Sequence, residues 1–291
     1  MSKVLIFGAT GMLGSSLQPY LLHQGHKVFT AGRSKSSDVL FSGSGTLSDL
    51  YKGLIKIEPE VLINLIAATN VDQCEQFPEM AHELNSEIPK SIALASQDYK
   101  GYSPHVIHIS SDQVYSGPGP HFESEPKPCN VYGVSKLAGE QWVLEIGGTV
   151  LRTNFVGASR KVGRVGFTDW LYKSNRSKTS ISVLEDVLFS PGHINDVCEA
   201  IDSVIKNPQS GIYNYGARSA ISKSEFSFSF INGLDMDSVL LKRSRLSDLS
   251  LLAKRPYDMS MNTSLFEKTF SKKCPEIFDV IRKCIKDYPN E

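Results

Sequence analysis

Tyr132 and Lys136 stand four residues apart, downstream of the paired hydroxyls Ser110 and Ser111. These residue types suit one chemistry. When a hydride adds to a carbonyl carbon, negative charge grows on the oxygen and a proton must arrive there. A phenol has an ordinary pKa of about 10, too high for ready exchange at neutral pH. A neighbouring ammonium stabilises the phenolate and brings that value down, and a serine hydroxyl can share a hydrogen bond with the developing oxyanion. A Tyr-x-x-x-Lys pair is expected by chance about once in a chain of this composition, so its meaning depends on context. Spacing i, i+4 puts both side chains on one face of a predicted helix. Ser111 follows the strand-like run His105–Ile109, where parallel sheets present groups to ligands.

A second group near the start supplies that context. Val4–Phe7 reads as a strand and runs into Gly8-Ala9-Thr10-Gly11-Met12-Leu13-Gly14, then into a helical pattern. In such a loop the first glycine permits the tight turn and the second lets backbone approach a diphosphate. The third lets helix pack on strand, while the helix N-terminus offers N–H groups to an anion. Gly8, Thr10, Gly11, Met12, Leu13 and Gly14 are therefore candidate cofactor contacts. The next strand ends in Gly32-Arg33-Ser34-Lys35, where a carboxylate would otherwise read the ribose 2′-hydroxyl of NAD. Arg33 and Ser34 can hold a 2′-phosphate, which favours NADP(H) over NAD(H). Ala67, Tyr132 and Lys136 complete the candidate cofactor set.

The elements that position these groups alternate. Apolar runs at Val4–Phe7, Lys27–Ala31, Val61–Ala67, His105–Ile109 and Thr149–Phe155 read as strands. Met12–His23, Leu47–Ile57, Pro78–Gln97 and Val131–Glu145 read as helices between them. Strands that are apolar throughout and separated by helices predict an α/β fold, a doubly wound parallel (Rossmann) sheet covered on both faces. Beyond Phe155 the rhythm loosens. A loop is expected at Gly157–Arg164, a helix at His193–Lys206 and a strand at Gly211–Tyr215. The expected division is a dinucleotide-binding domain of residues 1–154 plus 188–216, and a smaller C-terminal substrate lobe of 155–187 plus 217–291.

Lys+Arg and Asp+Glu both number 31, a balance that disfavours nucleic acid as a partner. The five cysteines are widely spaced, form no metal-ligand pattern and suit a reducing compartment. No long apolar run marks a membrane span and the first strand leaves no room for a leader, so a cytoplasmic protein without a metal is expected. The sequence leaves a homo-oligomer open.

These motifs together resemble the extended short-chain dehydrogenase/reductases, and within them the dTDP-4-dehydrorhamnose reductase group. The resemblance runs almost end to end. It covers the Gly8 loop, Asn64 to Asp72 with Glu75, Leu84-Asn85, Ser110 to Tyr115, Tyr132 to Lys136 and Leu151-Arg152-Thr153. Later matches are Phe189-Ser190-Pro191, Asn195-Asp196, Gly211-Ile212-Tyr213 and Arg255-Pro256. It implies Ser111 (usually Thr there), Tyr132 and Lys136 as catalytic residues, and hydride delivery to C4 of a nucleotide-linked 4-keto-6-deoxy sugar. The family often has Tyr where Ala68 stands and Trp where Phe155 stands, both near the sugar. Gln113 replaces an acid that related dehydratases use, which disfavours dehydration, and Asp112 is expected to hold hydrogen bonds.

Candidate substrate contacts are Ser111, Asn154, Phe155 and Arg255. Arg218, Lys223, Arg243, Arg245 and Lys254 are further cations able to meet a substrate diphosphate. Two alternatives stand beside the reductase: an NAD(P)-dependent nucleotide-sugar epimerase, and an NADP-binding regulatory subunit resembling that of methionine adenosyltransferase.

Overall fold

The computed structural model describes residues 1–41, 47–97 and 102–289. Its centre is a parallel sheet of β1 (Lys3–Phe7), β2 (Lys27–Gly32), β3 (Val39–Leu40), β4 (Val61–Asn64), β5 (His105–Ser111), β6 (Thr149–Thr153) and β7 (Gly211–Tyr215). Their spatial order is β7-β6-β5-β4-β1-β2-β3. The chain moves outward in one direction from β1 and in the other from β4, so a crevice opens above the carboxyl ends of these two neighbours.

Side chains alternate across this sheet with the period of two that strands impose. Val4, Ile6, Val61 and Ile63 face one core with Leu13, Leu17 and Leu21 of the Met12–His23 helix and Val197 and Ile201 of the Ile194–Lys206 helix. Leu5, Phe7 and Leu62 face the other, with Leu50, Leu54, Ile92 and Val143 from three further helices. Burial on both faces explains the apolar runs. A separate core gathers Leu171, Phe189, Phe226, Phe230, Val280 and Ile281, contributed mainly by the helices Phe167–Arg176, Lys223–Gly233 and Ile277–Lys286.

Several boundaries differ from the sequence expectation, each for a local reason. β4 stops at Asn64 rather than Ala67, because the Asn64 side chain accepts the Ile66 N–H at 3.0 Å and turns the chain away. β6 stops at Thr153, and Phe155–Val156 pairs instead with Gly192–His193. The expected Pro78–Gln97 helix contains a π-helical turn at Glu83–Glu87, which places Asn85 in the interior. His193 caps the Ile194–Lys206 helix through its ring rather than joining it. A short helix at Val71–Gln76, capped by Asn70, was not expected. Residues 157–164 form neither helix nor strand, as their composition predicts.

Candidate active site

The glycine loop crosses from β1 into the Met12–His23 helix at the crevice. Gly8 has φ +84°, and a side chain there would press on the Leu65–Ile66 backbone; one on Gly14 would run into the Gly8 carbonyl and Ala9. These two positions need glycine. Gly11 is the helix N-cap and contributes no side chain, so no side chain caps the helix N-terminus facing the crevice. This cradle of backbone fits the diphosphate of a dinucleotide.

The cleft above it has a volume of ≈ 420 Å³. Gly8, Gly11, Met12, Leu13, Gly14 and Ala67 lie on one side; Ser111, Tyr132, Lys136, Asn154 and Phe155 lie on the other. Thr10, Arg33, Ser34 and Arg255 are not in its lining. Arg33 and Ser34 are exposed beyond β2, and Ser34 Oγ lies 2.7 Å from Ser36 Oγ. Among the described residues no ion pair fixes Arg33. Arg255 instead pairs with Asp72 at 2.8 Å and donates to its neighbour Ala253 O at 3.0 Å. The backbone N–H of Ala253 also donates to Asp72, at 2.9 Å. That backbone bond, with Arg255 behind it, holds the Asp72 carboxyl below its ordinary range.

The remaining cations of the later region separate by partner. Arg218 meets Glu276, Arg243 meets Glu225, and Arg245 meets Glu185. Lys223 instead lies over the rings of Phe167 and Phe189, 4.9 and 4.8 Å from their centroids. Burial lowers its pKa, while the Asp112 charge opposes that shift.

Ser111 ends β5 and caps the turn Asp112–Val114, accepting the Gln113 N–H at 3.2 Å. Asp112 is buried and accepts from Asn154 Nδ2 at 2.6 Å. Burial pushes its carboxyl up to about 6, against the pull of Asn154. The hydrogen-bonding role expected for Asp112 is thus what its oxygens do. Gln113 also lines the cleft, its amide nitrogen 2.9 Å from Met259 Sδ.

Tyr132 and Lys136 sit on the Val131–Glu145 helix, which begins where Asn130 accepts the Gly133 N–H at 2.8 Å. Both are buried. Burial pushes the Tyr132 phenol up to about 12, with Asp112 and Cys74 adding to the rise and the nearby Ser111 hydroxyl opposing it. This corrects the expectation of a depressed phenol, for Lys136 turns from it. Its Nζ donates to Ile109 O at 2.7 Å and lies 3.3 Å from His108 Nε2. Burial brings the Lys136 ammonium down to about 8, and Glu140 opposes the fall.

Residues outside the candidate set hold these groups in place, and of them Asn85 stood in the sequence only as part of the Leu84-Asn85 match. Asn85 accepts from Ala68 N at 2.8 Å and donates to Ser135 Oγ at 3.0 Å, tying the cofactor side of the cleft to the Tyr132 helix. Close packing at Gly139, against the Asn85 carbonyl, is the matching sequence signal. Arg164 and Val165 line the cleft from the irregular segment, which the sequence marked only as basic and loop-forming.

The chain matches the RmlD substrate binding domain family over residues 2–290. It is 28% identical to the probable low-salt glycan biosynthesis reductase Agl14 of Haloferax volcanii over 287 residues, covering 94% of each chain. It is 26% identical to dTDP-4-dehydrorhamnose reductase of Shigella flexneri, again over 94% of each. Among solved structures, dTDP-4-dehydrorhamnose reductase of Bacillus anthracis in complex with NADP superposes with a TM-score of 0.88 at 24% identity, covering 99% of this chain and 100% of that one. No helix among the described residues is long and apolar enough to cross a membrane. With fold, cleft and sequence in agreement, the chain belongs to the RmlD substrate binding domain family, and so to the extended short-chain dehydrogenase/reductases, which are NAD(P)-dependent oxidoreductases.

Proposed function

We propose that this protein is a cytoplasmic NADPH-dependent reductase of a nucleotide-linked 4-keto-6-deoxy sugar, with Tyr132 as proton donor. The observation that carries the reading is the single cleft joining the glycine cradle to Ser111, Tyr132 and Lys136. Its relatives' names supply the substrate class. Bound NADPH would provide the hydride. Tyr132 gives its proton to the carbonyl oxygen as charge develops there, and the phenol O–H bond breaks as the new O–H bond forms. Its raised pKa in the free protein keeps the phenol neutral and protonated. Ser111 steadies the oxygen through its hydroxyl, and Lys136, held on Ile109 O in the free protein, would turn one helical turn back toward Tyr132 to stabilise the phenolate left behind.

Arg33 and Ser34, exposed at the end of β2, would hold the 2′-phosphate, and the preference for NADP(H) rests on them. Residues 1–154 and 188–216 form the dinucleotide-binding part in this reading, with 155–187 and 217–291 as the substrate lobe. Asn154 and Phe155 face the sugar. Lys223 is a stronger candidate than Arg255 for the substrate's negative charge, because Arg255 is already neutralised by Asp72.

The test is NADPH oxidation with a freshly generated dTDP-4-keto-6-deoxy sugar. Wild-type protein should turn over, and Tyr132→Phe should bind NADPH yet lose roughly 10²–10⁴-fold in rate. Equal rates in the two proteins would remove Tyr132 from the mechanism. An epimerase would consume no NADPH in this assay. A regulatory subunit would bind it without turnover.

A further inference from the structure

Behind Lys136 a chain of polar groups runs through the core. The Ile66 N–H donates to Asn64 Oδ1 at 3.0 Å. Asn64 Nδ2 lies 3.1 Å from His108 Nδ1, and His108 Nε2 lies 3.3 Å from Lys136 Nζ. Asn64, His108 and Lys136 are 0%, 0% and 1% exposed, so no surface solvent reaches these links.

The polarity of the chain is set at its first link. A backbone N–H can only donate, which fixes Asn64 with its oxygen toward Ile66 and its NH₂ toward His108. Turning the amide over would set two donors against each other at Ile66. His108 Nδ1 must then accept, and a neutral imidazole carries its one proton on Nε2. Burial and the Lys136 charge hold the His108 pKa well below its ordinary value, so the ring is neutral. Nε2–H therefore points at Nζ. An ammonium has three donors and no lone pair, and it cannot accept that bond; a neutral amine can, while still donating to Ile109 O.

We propose that His108 sets the proton affinity of Lys136, by presenting an N–H that only the neutral amine can accept. Protonation of Lys136 costs the chain its last hydrogen bond, and the ammonium must turn away from His108. The inference rests on the reading of Lys136 as the group that stabilises the Tyr132 phenolate, and makes His108 a positioning residue rather than a catalytic one.

The charges around Lys136 leave this role to His108. On its own helix Tyr132 lies one turn before it and Glu140 one turn after, the latter bound to Arg152 of β6. β5 brings His108, Ser110 and Ser111, with Asp112 just beyond its end, and the Val71–Gln76 helix brings Cys74 beside Tyr132. Among the described residues, no carboxylate lies within ion-pair distance of Nζ.

NMR of the cofactor-free protein, with ¹⁵N-histidine and ¹³C-lysine labelling, tests this directly. His108 should be neutral with its proton on Nε2, and Lys136 should titrate well below the solvent-exposed lysines. His108→Leu removes the N–H and should raise the Lys136 midpoint by about one pH unit or more. His108→Gln, whose amide can accept from Asn64 and donate to Nζ, should restore it and also guards against a folding loss in the leucine variant. Asn64→Asp keeps the first link and reverses the second, because a carboxylate oxygen can only accept from the ring, so the His108 proton should move to Nδ1.

In turnover, the alkaline limb of kcat/KM should follow the Lys136 midpoint, upward in His108→Leu and back in His108→Gln. A wild-type His108 protonated on Nδ1, or a Lys136 midpoint that is the same in folded His108→Leu and His108→Gln as in wild type, would overturn the proposal. Midpoints that move as predicted in a protein that reduces no keto sugar would uphold His108 and overturn the reductase reading instead.

Discussion

Two buried polar networks press on the Val131–Glu145 helix one turn apart, and they are built on opposite principles. At Glu140 the network is ionic. Arg152 donates from Nη2 to Glu140 at 2.6 Å and from Nε at 3.0 Å, with both side chains 0% exposed. Its other nitrogen reaches the Tyr115 hydroxyl and the Glu123 carbonyl, and Tyr115 in turn donates to Asn214 of β7. Every charge has its counter-charge, which locks β6, β7 and the helix together. At Lys136, among the described residues, no carboxylate lies within ion-pair distance, and Glu140 acts only from one turn away. The neutral dipoles of the Ile109 carbonyl and His108, the latter backed by Asn64, meet a group whose proton can come and go. A closed ion pair gives a fixed frame, whereas a lysine among dipoles gives a titratable group.

The largest effect should come from breaking the ionic side. Arg152→Ala leaves the Glu140 carboxylate buried and unpaired, and urea denaturation should show a loss of roughly 3–5 kcal/mol. Replacing both partners, Glu140→Leu with Arg152→Met, should recover much of that loss. A single variant as stable as wild type would mean that the pair is no lock.

The Lys136 side can be separated from it by pH. Its folded pKa of about 8 lies below that of a lysine in the unfolded chain, so between these values the unfolded state binds the extra proton. Stability from this site is therefore gained as pH rises from 8 towards 10. Relative to Lys136→Met, wild type should gain on the order of 1–2 kcal/mol across that window. Parallel stability curves for the two proteins would place Lys136 among ordinary, unperturbed lysines.

A third pair calibrates both. Arg255 and Asp72 are 19% and 39% exposed in their side chains and join residues far apart in the chain. Solvent screens such a pair, and Arg255→Ala should cost less than about 1 kcal/mol in stability. A loss as large as that of Arg152→Ala would show that the clasp between the later region and the Val71–Gln76 helix is structural in the same sense as the ionic lock.

The legibility of these regions differs for physical reasons. The glycine cradle was readable because strand, turn and helix are contiguous, and the demands on Gly8 and Gly14 are local steric ones. Tyr132 and Lys136 were readable because i, i+4 spacing decides which face they share. The direction in which Lys136 points was not, since its partners are a carbonyl on β5 and a histidine that pattern alone assigns to the core. Arg255 presented the same difficulty. Its sequence neighbourhood suggested a cation awaiting an anion, while the fold supplies Asp72 from 183 residues earlier in the chain. Asn85 belonged to the Leu84-Asn85 match, but its interior placement depends on a π-helical turn that no periodicity announces. Local geometry was visible in the sequence; long-range polarity had to be seen.

The most direct measurement is isotopic. Protein supplied with NADPH carrying deuterium at the transferred position, and with a dTDP-4-keto-6-deoxy sugar, should yield a sugar product that has gained the deuterium at the former keto carbon. Tyr132→Phe should yield almost none in the same time. A product formed by wild-type protein without the label, or label transfer undiminished in Tyr132→Phe, would contradict the account.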